Sequence, residues 1–313
     1  MKSKTVCRAY APATIANVTV GFDILGFSVA GVGDEVEVTI LPASKNVVIT
    51  EITGIAGTLP KDPTKNTAAV ALQKMIVDLK LPHGFLIKIK KGIAVSSGMG
   101  GSSASAVAAV VAANGLLKKP LTKEQMLDFA LAGEAVASGA IHGDNVGPCL
   151  LGGLTLLLPT APMQMVSIPV PSDIFCVLVH PELKVETRQA RSILRPEIRL
   201  SEYTHQTAWL TGFISGCFKK DHKLIARCMQ DVVIEPQRSQ LITGFYELKK
   251  YTAIQKAIGF GISGSGPSVF AWVKGKAAAV KLKKGMMAIF KANGLESQGW
   301  ISPVQSRGAR VVS

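Results

Sequence analysis

Gly92-Ile-Ala-Val-Ser-Ser-Gly-Met-Gly-Gly-Ser-Ser-Ala-Ser-Ala-Val107 is the stretch from which the fold is read. Before it, Phe85-Leu-Ile-Lys-Ile-Lys90 alternates apolar and polar residues as a half-buried strand does. After it, residues 105–117 are rich in Ala and Val and meet no breaker until Asn114 and Gly115. The order is strand, glycine loop, helix. The first amides of a helix have no partner inside it and carry the positive end of its dipole, so they face whatever the loop encloses. Gly98, Gly100 and Gly101 lack a Cβ, which permits positive φ and lets the backbone close on a bulky anion such as a triphosphate. Ser102 and Ser103 add hydroxyls suited to phosphate oxygens or Mg²⁺. The structural alternative is a small-residue turn packed under another element; the strand before and the helix after favour phosphate binding.

Neither common phosphate-loop pattern fits. The Walker pattern requires Gly-Lys-Ser/Thr, and no lysine lies between Lys91 and Lys118. The dinucleotide pattern starts at Gly98 and Gly100 but finds Ser103 at its third glycine, and no acidic residue follows before Glu124.

The 313 residues allow two modest domains, and 48% hydrophobic content excludes a largely disordered chain. Mean hydropathy is +0.31, yet the apolar runs are short: residues 105–117 are interrupted by Asn114, and residues 150–158 cannot span a bilayer. Lys2, Lys4 and Arg8 are followed by Thr14, Asn17, Thr19 and Asp23, not by the apolar run of an export signal. Five scattered cysteines without a Cys-x-x-Cys spacing indicate neither a disulfide framework nor a zinc site, and suit a reducing cytoplasm. A net charge of +14 raises the question of nucleic acid, but the lysines come in scattered pairs, among them Lys90-Lys91 and Lys118-Lys119, with only 6% aromatics. Solvated faces account for most of this charge, and part of it can draw in an anionic nucleotide.

In chain order, a strand is expected over 5–20, ending in Asn17 and Gly21-Phe-Asp23, where a ligand-binding turn and a capped hairpin are equally good readings. Strands follow over 34–41 and 47–52, then a helix with Leu72, Met75, Ile76 and Leu79 on its core face and Asn66 as a plausible cap. Thr122-Lys-Glu-Gln125 starts another helix, which carries Glu134 among Ala and Gly neighbours. A carboxylate placed there calls for a cation or for exposure, and Mg²⁺ is the expected partner. The polar cluster His142, Asp144 and Asn145 precedes a strand over 154–158. Prolines 159, 162, 169 and 171 mark the expected boundary between domains 1–165 and 166–313. Beyond it come a strand over 174–179 and amphipathic stripes through Trp209, Phe213 and Cys217 and through Leu224, Ile225 and Cys228, all read as core. Gly259-Phe-Gly-Ile-Ser-Gly264 is a literal Gly-x-Gly-x-x-Gly, but it follows a helical pattern and precedes a strand over 268–273, the reverse of the dinucleotide order.

The loop ending Gly-Met-Gly-Gly-Ser-Ser-Ala resembles the second motif of the GHMP kinases. Pro12-Ala-Thr-Ile-Ala-Asn17 with Gly21-Phe-Asp23 looks like the first motif of their homoserine kinase branch, and Gly261-Ile-Ser-Gly-Ser-Gly-Pro267-Ser like the third. Glu134 with Ser138-Gly-Ala-Ile-His142-Gly-Asp144-Asn145-Val-Gly-Pro148 resembles the signature of that branch most narrowly. The motifs fall in family order from about Ala11 to Ser268, essentially the whole chain.

The resemblance implies an α+β, two-domain GHMP kinase fold: an N-terminal domain like the second domain of ribosomal protein S5, then a ferredoxin-like C-terminal domain, as a cytoplasmic homodimer. It implies transfer of the ATP γ-phosphoryl group to L-homoserine in threonine biosynthesis, with no nucleic-acid or membrane partner. ATP would contact Asn66, at the base, and Ala94, Val95, Ser96, Ser97, Gly98, Met99, Gly100, Gly101, Ser102, Ser103 and Ala104. Ser102 and Glu134 would hold Mg²⁺, and with Asn145 they form the catalytic set. The substrate would meet Asn17, Asp23, His142, Thr187 and Gly264, with Arg191 and Arg238 on its carboxylate. No general base is expected: Asn145 stands where related kinases carry an aspartate, and adjacent Asp144 is expected to point elsewhere. Gly101, Ala94 and Ser268 depart from the frequent serine, proline and threonine, which leaves the nucleotide contacts of Ser103 less fixed than those of Ser102. A mevalonate-type GHMP kinase and a basic RNA-binding protein stay open as alternatives.

Overall fold

The computed structural model describes residues 5–55, 59–138 and 143–312. The first unit contains β1 (Val6–Ala16), β2 (Leu25–Leu41), β3 (Val47–Gly54), α1 (Thr67–Asp78), β4 (Gly84–Lys91), α2 (Gly101–Asn114), α3 (Lys123–Ser138), α4 (Gly143–Leu151), β5 (Leu154–Leu158) and β6 (Gln164–Ile168). The second contains β7 (Ile174–Pro181), α5 (Thr187–Ser192), α6 (Leu200–Lys219), α7 (His222–Cys228), α8 (Glu235–Arg238), α9 (Phe245–Ile254), β8 (Gly259–Ile262), β9 (Val269–Lys274), α10 (Lys276–Ala292) and β10 (Ser297–Pro303), after which β11 (Arg310–Val312) returns to the first sheet.

The first sheet has seven strands: β11-β1-β2-β4-β3 in order, with β5 also on β2 and β6 outside β5. β3 and β4 pair in parallel across the α1 crossover. β2 is far longer than the expected 34–41, because one of its edges serves two partners in turn, residues 35–41 pairing with β4 and residues 25–27 with β5, while the other edge pairs with β1. The β1–β2 register shifts between Pro12 and Ala13, opposite Gly31, whose φ of +88° lets β2 bend there. The expected strand over 5–20 stops at Ala16, since Asn17, Val18 and Thr19 take left-handed φ values of 72°, 46° and 59°.

Residues 103–113 of α2 are buried on every side, as an Ala/Val helix without a polar face requires. It packs on β1 and β2 and against α1 and α3. A Cβ on Gly133 of α3 would meet Ala106 of α2 and Ala71 of α1 at 3.0 and 3.1 Å, so this glycine sets how closely the three helices approach. The expected capping box forms, with the Thr122 amide donating to Gln125 Oε1 and the Gln125 amide to Thr122 Oγ1.

The second sheet, β10-β7-β9-β8, is antiparallel throughout. Counted among its own strands the order is fourth, first, third, second, the ferredoxin-like arrangement. α9 and α10 cover one face through Phe245, Leu248, Met286 and Phe290. On the other, Trp272 meets Phe27 of β2 edge-on at 5.4 Å and Phe213 of α6 at 5.7 Å, so the two units share a core. The literal Gly-x-Gly-x-x-Gly begins as strand β8, which its glycines hide from a helix-or-strand reading. The expected boundary at 165/166 falls inside β6, which pairs with β5 through Ile168. We propose that the first unit runs to Ile168 and takes back β11, which pairs with β1.

Candidate active site

β4 ends at Lys91 and α2 begins at Gly101, so the glycine loop lies where the sequence puts it, with the helix starting four residues before the expected 105. Gly98 and Gly100 take φ of 73° and 67°. A Cβ on Gly98 would strike the Ser263 and Gly266 carbonyl oxygens, and one on Gly100 would strike Thr14 Oγ1 and Asn145 Oδ1. Absence of side chains is therefore demanded by the loop's neighbours as well as by its φ angles.

The Gly133 contact delivers the next residue, Glu134, to the head of α2. Ser102 Oγ donates to Glu134 Oε1 at 3.0 Å and Ser103 Oγ to Oε2 at 2.8 Å. Burial pushes the Glu134 carboxyl above its ordinary range, opposed by these two hydroxyls and by the charge of Lys91. Thr67 Oγ1 donates to the Ser102 carbonyl, so the starts of α1 and α2 converge. Asn66 is the α1 cap: Oδ1 accepts the Ala68 amide at 3.1 Å, and Nδ2 donates to the Pro60 carbonyl.

The 261–268 stretch straps the loop from the other unit. Ser263 Oγ donates to the Gly98 carbonyl at 2.7 Å and Ser268 Oγ to the Ser97 carbonyl at 2.6 Å. His180 Nδ1 lies 3.0 Å from Ser268 Oγ.

A second group of charges lies near the left-handed turn. Arg191 Nη2 reaches both carboxylate oxygens of Asp23, at 2.8 and 2.9 Å. Arg238 donates through Nε to the Ala190 carbonyl and through Nη1 to that of Gly264. Both guanidinium groups lie over the Phe22 ring, 5.1 and 5.2 Å from its centre. Burial, then the neighbouring Arg191, lowers Arg238 to about 10, so it stays charged at neutral pH. Asn17 ties its own turn to the 261–268 stretch: Nδ2 donates to the Gly264 carbonyl at 2.9 Å and Oδ1 accepts the Asp23 amide at 3.0 Å. Thr187 Oγ1 lies 3.4 Å from Ser265 Oγ.

One cavity of about 410 Å³ joins the two groups. It brings together Asn17, Asp23, Asn66, every loop residue from Ala94 to Ser102, Glu134, Asn145, Thr187, Arg191, Arg238 and Gly264. Ser103 and Ala104 do not line it; they are buried beneath, Ser103 holding Glu134. His142 lies outside the described residues. Asp144, expected to point elsewhere, lines the same cavity, and burial followed by repulsion from Asp23 and Glu134 raises it to about 7. Asn145 Oδ1 accepts from Thr14 Oγ1 at 2.7 Å.

Two contributors escaped the sequence reading. Phe22 stood inside a recognised motif with no signal for its ring. Lys91 was counted among solvated pairs, yet it is 4% exposed and ion-paired with fully buried Asp34. Alternation along β4 gave the one available signal, since Lys91 lies on the same face as Ile87 and Ile89.

A family model described as the GHMP kinases N terminal domain matches residues 65–153, and one described as GHMP kinases C terminal matches residues 213–291. The chain is 47% identical over 306 residues to a homoserine kinase of Xanthomonas campestris pv. campestris (strain B100), covering 98% of this chain and 94% of that one. The crystal structure of a homoserine kinase from Cytophaga hutchinsonii ATCC 33406 superposes with a TM-score of 0.95 at 40% identity, over 100% of this chain and 99% of the other. L. major mevalonate kinase in complex with R-mevalonate, with a TM-score of 0.72 and 17% identity over 96% and 97% of the two chains, shares the fold. On near full-length identity of this degree, the chain belongs to the homoserine kinases, a branch of the GHMP kinase family.

Proposed function

We propose that the protein transfers the γ-phosphoryl group of ATP to the side-chain hydroxyl of L-homoserine, giving ADP and O-phospho-L-homoserine in threonine biosynthesis. One observation carries this reading: the glycine loop with its Glu134 and the Asp23, Arg191 and Arg238 set share a single cavity. The first suits a triphosphate, the second the two ends of an amino acid.

The amides at the head of α2 and the loop 94–102 hold the phosphates, and the base lies by Asn66 among Leu59, Pro60, Ile89 and Ile93. Ser102 and Glu134 form an all-oxygen donor set of the kind Mg²⁺ takes, and they would hold it. When bound, the ion neutralises phosphate charge. Asp23 takes the ammonium, Arg191 and Arg238 take the carboxylate, and Thr187 and Gly264 complete the wall. His142 is assigned to the substrate from the sequence. Asn145, its oxygen engaged by Thr14, meets the acceptor hydroxyl with N–H donors and cannot take its proton. The hydroxyl oxygen bonds to the γ-phosphorus, the bond to the β-phosphate oxygen breaks, and the proton leaves to a phosphate oxygen or water. Positioning and electrostatics supply the rate.

We assign the protein to the cytoplasm: its five cysteines are buried free thiols, and no described helix is long and apolar enough to cross a membrane. A homodimer is proposed on family resemblance and is checked by light scattering.

A coupled assay of ADP release with homoserine, serine, threonine and mevalonate tests the function. Turnover is expected to be highest with homoserine. Preference for mevalonate, or salt-sensitive RNA retention without ATP turnover, would replace the proposal with one of the alternatives.

A further inference from the structure

We propose that Asp34 and Lys91 form a buried charged clasp that joins the two ends of the glycine loop and positions it for phosphoryl transfer. The inference rests on reading that loop as the triphosphate site. Asp34, on β2, is fully buried. Its Oδ1 accepts the amides of Gly92 at 3.0 Å and Ile93 at 3.2 Å, where the chain enters the loop. Its Oδ2 accepts the Ser105 hydroxyl at 2.8 Å and the Lys91 ammonium. Lys91 Nζ donates in turn to Ser105 Oγ at 2.9 Å and to the Gly101 carbonyl at 2.7 Å, where the loop becomes α2.

Entry is thus tied to the carboxylate and exit to the ammonium, and the two charges are tied to each other. A buried ion pair seldom adds stability over a matched apolar pair, but it can enforce one geometry. Here the enforced geometry is the separation of the loop's ends. Lys91 also lines the cavity in which the loop lies. Asp34 and Lys91 touch no reacting atom; they act through the loop's amides.

The test is the double variant Asp34→Asn/Lys91→Met, which removes both charges together and strands neither. With circular dichroism and a thermal transition like the parent's, KM for ATP is expected to rise about tenfold and kcat to fall about tenfold, while KM for homoserine stays within twofold. A folded double variant with ATP parameters within twofold of the parent overturns the clasp. If the double variant does not fold, Ser105→Ala serves instead: it removes the hydroxyl shared by both charges and should raise KM for ATP roughly threefold, whereas an unchanged value overturns the proposal. Should the parent show no turnover, the functional reading fails by itself, and the clasp is judged by ATP affinity in a binding titration of the same variants, with the same tenfold and threefold thresholds.

Discussion

Asp23 and Arg191 suit opposite ends of an amino acid, and Arg191 Nη2 holds both oxygens of Asp23. A zwitterion entering between them exchanges one ion pair for two, so Arg191→Ala should raise KM for homoserine by roughly 10–100-fold, a charge-assisted hydrogen bond being worth about 1.5–3 kcal/mol. Steady-state kinetics at saturating ATP checks this. Glu134→Gln keeps the shape and removes the charge, and should lower kcat about 10²–10³-fold with an unchanged circular dichroism spectrum. Asp144 gives a pH signature. Its carboxyl is raised from 3.8 to about 7, so the folded state holds the proton more tightly, and the stability this provides is complete below about pH 4 and lost as pH rises through 7. Asp144→Asn should flatten that dependence and leave the variant relatively more stable at pH 8 by on the order of 2–4 kcal/mol, measured by urea unfolding at both pH values. Its kcat should stay within tenfold; a larger loss would make Asp144 the missing base. At this scale Asp23, Arg191 and Arg238 were singled out by the resemblance and not by residue type, since neighbouring helix arginines such as Arg188 and Arg191 read equally well as solvated charges; the structure puts all three on one cavity. Lys91 was not legible, since a lysine at the end of a strand has no local sign of the aspartate waiting in β2.

Among the elements, loop and helix were readable from the alternation before Gly92 and the Ala/Val run after it. Beyond reach was what the glycines must avoid, because Thr14, Asn145 and Ser263 come from distant stretches. Gly100→Ala would combine a left-handed φ of 67° with a Cβ set against Thr14 and Asn145, and should lower the thermal midpoint while raising KM for ATP at least tenfold. Differential scanning calorimetry and initial-rate kinetics report the two effects. The turn Asn17–Val18–Thr19 was equally hidden. Three successive non-glycine residues with positive φ contradict their own preferences, and the turn persists because Asn17 is bonded to Gly264 and Asp23. Backbone strain of this kind accompanies a site and is invisible to propensity.

At the scale of the molecule, sequence order separated two units but could not show how they share a core. Phe27 of the first sheet packs edge-on against both Phe270 and Trp272 of the second. Phe27→Ala should therefore cost about 3–5 kcal/mol and lower a single unfolding transition rather than splitting it, as followed by calorimetry. Two transitions would show that the units unfold independently. The pairing of β11 with β1 was out of reach for a related reason: a short strand ending a chain carries no mark of its distant partner. This pairing bears on biosynthesis as well. When β1 leaves the ribosome, residues 310–312 will not exist until roughly three hundred more have been translated. Throughout that interval one flank of the nascent β1 keeps its backbone amides and carbonyls exposed to chaperones and to other emerging polypeptides.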